Sequence, residues 1–441
     1  MSKKINLLVL LAMGLIATFF QSCKDDDDDD YATYSVLVQL SYPDGYDVAE
    51  NVVVTLTSSD GTTYTDSTDT NGITTFGVPV EIYDVSVSER RTVSGKSYNF
   101  TGSKSVTLTD SWNETDTVSV DLSVSEAAAL IIKELYIGGC QDTSGTFSKD
   151  KYVILYNNSE DEVSLDNVCL AYAYPYNSNS TNHFYENGTL SYESEGWIPA
   201  GTGIWYFPDG ITLASGEQIV VALYNAIDNT ETYENSVNFA NAEYYCTYDI
   251  DVFTLTSYYP APSSLIPTSH YLSAVRYGAA KAWAISNSSP AFYIFATEDE
   301  TPKDYASSAD NQYSYNGSST SIYLKIPTDW IIDGIEVYRQ GYDNQKRLTA
   351  DIDAGYVYHT NKQGYTLYRN VDQTATEALD ENSGKIVYNY SGGTTDVDDG
   401  STDKSGIDAE ASEANGARII YSDTNSSTTD FHQRAKASLR D

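Results

Sequence analysis

Four histidines, His183, His270, His359 and His432, are the first residues to examine for acid–base or metal chemistry, and they stand far apart. No pair has a two-ligand spacing, and neither Cys-x-x-Cys nor His-Glu-x-x-His occurs, so nothing points to zinc. A Ser-His-Asp arrangement needs its nucleophile in a defined turn, and no Gly-x-Ser-x-Gly is present. Each histidine is therefore expected as a lone surface or loop residue. Paired carboxylates for glycoside hydrolysis are a spatial feature, and 63 acidic residues offer too many pairs to single one out. Asp396, Asp398, Asp399 and Asp403 are the one metal candidate, as oxygen ligands for calcium. They lack the loop spacing that closes on a glutamate, and a solvated acidic stretch is the simpler expectation. No catalytic residue and no cofactor is assigned.

Tyrosine is the remaining anomaly, with 39 residues against 12 Phe and 5 Trp. Tyrosine suits half-buried strands, but its concentration between strands asks for more. Tyr172, Tyr174, Tyr176, Phe184, Tyr185, Tyr192, Trp197, Trp205 and Tyr206 fall in one stretch, interleaved with Asn, Ser and His183. A second group is Tyr244, Tyr245, Tyr248, Tyr258 and Tyr259. Rigid rings with polar tips bind ligands at low entropic cost, and loops on a rigid scaffold are where such residues gather. The ligand-binding candidates are Tyr172, Tyr174, Tyr176, Tyr185, Tyr192, Trp197, Trp205 and Tyr206. The ligand classes they suit are a glycan, a peptide or a heme-like aromatic molecule. The competing expectation is that long loops fold back and bury their own rings.

The elements that must position these residues read as strands. Over 31–124, Val36, Val38 and Leu40 alternate with polar neighbours, as do Val52, Val54 and Leu56, with a turn signal at 68–72. The order "VVVTLTSSDGTTYTDSTDTNGITTFGVPVEIYDVSVS" at 52–88 resembles the carboxypeptidase-regulatory, prealbumin-like domains of secreted bacterial proteins, which implies a sandwich and no reaction. After a linker at 125–129 the composition turns tyrosine- and asparagine-rich. There "LIIKELYIGG" at 130–139, "KYVILYNNSEDEVSLDNVCL" at 151–170, "IPAGTGIWYFPDGITLASGEQIVVAL" at 198–223 and "GYTLYR" at 364–369 resemble the lamin-tail domain, an immunoglobulin-like sandwich. That resemblance covers most of 130–441, interrupted by insertions at 173–197, 225–272, 300–320 and 392–416; the part 391–416 reads as a flexible acidic loop. The expected fold is all-β: two antiparallel β-sandwich domains, 31–124 and 130–441.

At the start of the chain, Lys3 and Lys4 precede an apolar stretch at 5–20 and small Ser22, the pattern of an export signal over 1–22. Cys23 follows at the cleavage point, which resembles a bacterial lipoprotein with Cys23 as the lipidated residue. Phe20 and Gln21 depart from the usual residues before that cysteine. The segment 23–30, Cys23 with Lys24, Asp25, Asp26, Asp27, Asp28, Asp29 and Asp30, resembles the surface-export signal of Bacteroidetes lipoproteins. The resemblance implies a lipid anchor on the extracellular face of the outer membrane; a plain solvated tether is the alternative. The whole chain also resembles a Bacteroidetes lipoprotein family known only as a domain of unknown function.

The net charge is −38, and loss of Lys3 and Lys4 with the leader takes it to −40 (−38 − 2). A body this acidic is repelled by phosphate backbones, which argues against nucleic acid as a partner. Cys140, Cys169 and Cys246 remain after Cys23, an odd number that allows one internal bridge at most. Together these features lead to a non-catalytic, surface-exposed outer-membrane lipoprotein that binds or presents a ligand, as accessory to a TonB-dependent transporter or other barrel partner. A structural, adhesin-like scaffold subunit is the alternative, and a carboxylate-based hydrolase the lesser one.

Overall fold

The structure, a computed structural model, describes residues 33–59, 61–93, 96–143, 145–388 and 403–440. The leader, Cys23, Lys24, the acidic run 25–30 and the calcium candidates Asp396, Asp398 and Asp399 lie outside the described residues. The fold is all-β and of the sandwich type, with four short α-helices among the described residues. None of the described helices is long and apolar enough to cross a membrane.

Two compact units form, the described parts of Met1–Val87 with Gly102–Leu122, and of Ser88–Thr101 with Ser123–Asp441. The first is built as its alternation dictates. In Thr33–Ser41, Ile73–Pro79 and Thr117–Asp121 every second residue is buried, so Val36, Val38, Leu40, Phe76, Val78, Val118 and Val120 share one face. The strand Val53–Ser58 adds Val54 and Leu56. Asp69 closes the expected turn by accepting from the backbone N–H of Asn71 and Ile73 at 2.8 and 3.0 Å, with Gly72 at φ 72°.

The second unit differs from the expected boundaries. Ser123–Glu126, placed partly in a linker, is a strand paired with Tyr98, Asn99, Phe100 and Thr101. Its body is one twelve-stranded sheet in the order Val357–His359, Ile331–Arg339, Ala291–Ala296, Val168–Tyr172, Gly203–Tyr206, Tyr271–Arg276, Tyr245–Thr247, Gln218–Ala222, Tyr152–Asn157, Leu130–Tyr136, Thr366–Arg369, Phe431–Arg434. Leu130–Tyr136, Tyr152–Asn157 and Val168–Tyr172 are buried at every position, because both faces of this sheet are covered. One face packs Ile132, Leu155, Leu170, Trp205, Ile294 and Leu367 into the main core. The other face carries Cys169, Ala171, Ile204, Tyr293 and Phe295 beneath the 173–197 insertion.

The sheet is not purely antiparallel. Tyr245–Thr247 pairs parallel with both of its neighbours, and Ile331–Arg339 pairs parallel with Val357–His359. These strands are reached through the long segments 225–244, 248–270 and 340–356, which give the chain length to return to the same end. Asp333 ties its strand to two strands that are not its neighbours in the sheet, accepting from Ile132 N at 2.6 Å while paired with the buried Arg369. The stretch expected as an acidic loop has a different character from 403 onward. Ala409–Ala414 is a helix capped by the Asp408 side chain, and Ile407 and Ala409 are buried.

Candidate aromatic binding surface

The eight candidate rings separate by burial. Trp205 is fully buried in the main core, where its ring centroid lies 5.4 Å from that of Phe253 and 5.7 Å from that of Tyr259. Tyr172 is also in the core, against Trp283, with its hydroxyl 3.0 Å from that of Thr202. Tyr206 points from the opposite face of the Trp205 strand and is half-buried. Tyr176 is exposed, and its hydroxyl donates to Ile285 O at 3.2 Å.

The other four come together. Tyr192 and Trp197 are buried beside Phe184 in the cluster under the insertion, and Tyr185 and Tyr174 pack half-buried at its margin. The Tyr192 hydroxyl donates to Arg347 O, and Trp197 Nε1 donates to Glu195 at 2.9 Å. On this base stands a stack that reaches solvent. Exposed His183 lies 4.3 Å from Tyr315 at an interplanar angle of 16°, and 6.1 Å from Tyr174 at 19°. Tyr174 in turn packs on Tyr323 at 4.4 Å. Tyr313, Tyr315 and Tyr323 come from the strands Gln312–Ser314 and Ile322–Pro327 and the turn between them, so two insertions build one surface.

A further set of rings stands outside the expected candidates. Tyr356 and Tyr358 flank Val357 on the edge strand, and Tyr338 is the register partner of Tyr358. Tyr338 and Tyr356 stack at 4.2 Å and 11°, and Tyr358 meets Tyr356 edge-on at 5.3 Å. Nearby in the chain, Tyr342 lies under the Arg339 guanidinium at 3.9 Å. The Tyr-x-Tyr spacing at 356–358 is the signal that could have found them, since residues two apart on a strand share a face.

The base of this region is a buried ion pair. Arg347 and Glu336 have no solvent-exposed side-chain surface; Arg347 Nε and Nη2 donate to Glu336 Oε1 at 2.8 and 2.6 Å. Arg347 Nη1 also donates to Pro175 O and Ser289 O, and Glu336 Oε2 accepts from Arg347 N and Leu348 N. The guanidinium therefore ties the 173–197 insertion to the loop after Arg339.

The remaining chemically able residues are absorbed by the fold. Only His183 and His270 match the surface or loop expectation. His359 and His432 are buried, and loss of hydration pushes them down to about 4 and about 3, so they are neutral at neutral pH. His270 stacks on Tyr245 at 4.0 Å, and Tyr259 of the second tyrosine group is buried with its hydroxyl accepting from Trp283 N. Cys140, Cys169 and Cys246 are buried free thiols. Asp403 accepts from Val371 N and Ser405 N, so backbone donors occupy both of its oxygens. Among the described residues no cluster of His, Cys, Asp or Glu is arranged to hold a metal ion. An open depression of about 550 Å³, lined by Glu160, Ser215, Leu379, Asp380, Glu381 and Arg418, contains no aromatic ring.

A family model described as a protein of unknown function (DUF4876) matches residues 214–438. A crystal structure of a DUF4876 family protein from Bacteroides thetaiotaomicron is similar over 90% of this chain and 94% of that one, with 19% identity and a TM-score of 0.54, a likeness of fold. A crystal structure of a DUF3823 family protein from Parabacteroides merdae aligns with 40% of this chain and 92% of that one, at 11% identity and a TM-score of 0.16. No curated protein matches the chain.

Proposed function

We propose, for a chain that belongs to the DUF4876 family of proteins of unknown function, that it is a non-catalytic lipoprotein on the outer face of the outer membrane. In this reading it holds a ligand on the aromatic surface around His183, as an accessory to a TonB-dependent transporter. The observation that carries the reading is the exposed His183 imidazole stacked near-parallel with Tyr174 and Tyr315 above a base of buried rings. Such a surface is ordered before a ligand arrives, which lowers the entropic cost of binding. Phe184, Tyr192 and Trp197 supply the support, and the Arg347–Glu336 pair fixes the loops that carry them.

The non-catalytic part rests on where the shifted ionisable groups lie. Asp353 is pushed up to about 6 and Lys151 down to about 7 by burial, and both are tied to protein partners inside the unit. Both are buried and held by protein groups, so their shifts are assigned to the core. The location rests on Cys23 and the Lys24-then-aspartate run, and the prealbumin-like and lamin-tail-like resemblances of the two units belong to the same proposal.

The test is binding of full-length protein in detergent to panels of glycans, peptides and heme. Tyr174→Ala and Tyr315→Ala should each weaken the ligand found about tenfold, as the loss of one aromatic contact implies, with little change in melting temperature. Unchanged affinity in both variants removes this surface from the function. Replacing the acidic run 25–30 with alanines should leave lipidation intact and abolish protease accessibility on whole cells; persistent accessibility reduces the run to a spacer.

A further inference from the structure

We infer that the His183 surface and the tyrosines around Tyr356 form one extended site, and that its ligand is a neutral oligosaccharide; this deepens the reading above and rests on it. The two ring clusters are joined by hydrogen-bonded loops. Asn182, next to His183, donates from its backbone to Gln345 Oε1 at 3.0 Å and from its side chain to Lys346 O at 3.1 Å. Gln345 N donates to Ser178 O at 2.8 Å, and Ser178 Oγ to Asn344 Oδ1 at 2.5 Å. Asn344 Nδ2 then closes on Tyr342 O and Arg339 O at 2.7 and 2.9 Å.

The exposed tyrosines gather at this far end. Tyr342, Tyr356 and Tyr358 keep 50%, 38% and 43% of their surface in solvent. A ligand that contacts both clusters must be extended, because it has to cross the hydrogen-bonded loops that lie between them. Pyranose rings offer apolar C–H faces of matching size and hydroxyls that suit tyrosine tips and asparagine side chains. A polyanionic ligand is disfavoured by a chain of net charge −38. A peptide docking by strand addition would extend along the edge strand Val357–His359, and the backbone just before and just after that strand is already held by Thr428 and Gln433. Tyr356 N donates to Thr428 Oγ1, Thr428 Oγ1 donates to Tyr356 O, and Thr360 N donates to Gln433 Oε1.

The experiment presents full-length protein to an immobilised array of neutral gluco-, manno-, galacto- and xylo-oligosaccharides graded by length, with neutral peptides and heme alongside. Affinity for one sugar series should rise with chain length until the chain reaches both clusters. Tyr315→Ala and Tyr356→Ala should each cost about tenfold on the long members. On the shortest members, a variant at one cluster should leave binding at the other intact. Loss in Tyr315→Ala alone overturns the extended site and leaves the proposed function standing. Capture of a peptide or heme with no sugar bound overturns the ligand class. Binding of none of these overturns both readings.

Discussion

Trp205 and His183 come from one stretch of chain, and the rings around each differ in what covers their faces and takes their polar tips. In the core, Tyr224 OH donates to Trp283 O at 2.7 Å and Tyr259 OH accepts from Trp283 N at 3.2 Å, so main-chain groups take the hydroxyls and neighbouring rings cover the faces. At the surface, His183 is held by ring contacts while remaining exposed. An aromatic-rich insertion thus does two jobs. Its buried rings fill the space beneath the sheet, and the rings they support are left to meet a ligand. Residue type alone does not separate the two; the cover over the ring does.

The largest effect that sharpens this division is expected at Trp205. Trp205→Ala removes a fully buried indole and should cost about 4 kcal/mol, seen as a lower midpoint in denaturant unfolding. Its folded fraction should still bind ligand with wild-type affinity. A large affinity loss with intact stability would instead put Trp205 back among the binding residues. Arg347→Met comes next, at about 3 kcal/mol, because it leaves Glu336 buried without its cation. Pairing it with Glu336→Gln, which removes the buried charge and keeps an acceptor for Arg347 N and Leu348 N, should recover part of the stability. If the double variant is stable yet fails to bind, the ion pair positions the surface as well as supporting the fold.

How far the residues themselves foretell this arrangement depends on the range of the interactions involved. Alternation marked Val36, Val38 and Leu40 as one buried face, since that pattern is local to a strand. The solid burial of Leu130–Tyr136 was not legible in this way, because Lys133 and Glu134 interrupt its apolar residues and are buried only through distant partners such as Glu413 and Ser438. The His183 stack was half legible. Tyr174 and Tyr185 stand in the same insertion, but Tyr315 and Tyr323 reach it from another segment that no local period connects to it. Arg347 sits in a polar stretch, Gln345 to Thr349, that reads as surface, and only the fold brings Glu336 opposite it. Asp403 had the look of a cation ligand because its backbone donors, Val371 N and Ser405 N, are set by tertiary contact and a local turn.

The histidines extend the same division to pH. Burial first, and then the Arg434 charge, hold His432 down to about 3, while its unfolded value is about 6.5. A depressed value contributes stability above pH 6.5 that is lost progressively as pH falls toward 3. Between pH 7.5 and 5 the wild type should therefore lose about 2 kcal/mol through this residue. His432→Gln keeps an amide opposite Asn370 and should remove that part of the acid limb in thermal melts. Asp353 works in the opposite sense, because its raised value of about 6 favours the folded state at low pH. Asp353→Asn should thus cost about 1 kcal/mol more at pH 5 than at pH 7.5.

The smallest effect on stability is expected at the residue most exposed to a ligand. His183→Ala removes a ring whose faces rest on Tyr174 and Tyr315 and whose edge meets solvent. Little buried area is lost, so stability should change by less than about 0.5 kcal/mol. Binding should still fall, because the imidazole offers its edge to the ligand and limits the motion of the two tyrosines. His183→Phe restores a flat ring without its nitrogens and separates these contributions. Recovery with Phe assigns the role to stacking, whereas failure to recover assigns it to a hydrogen bond from the imidazole. Unchanged affinity in both variants would place His183 with the rings around Trp205, as structure alone.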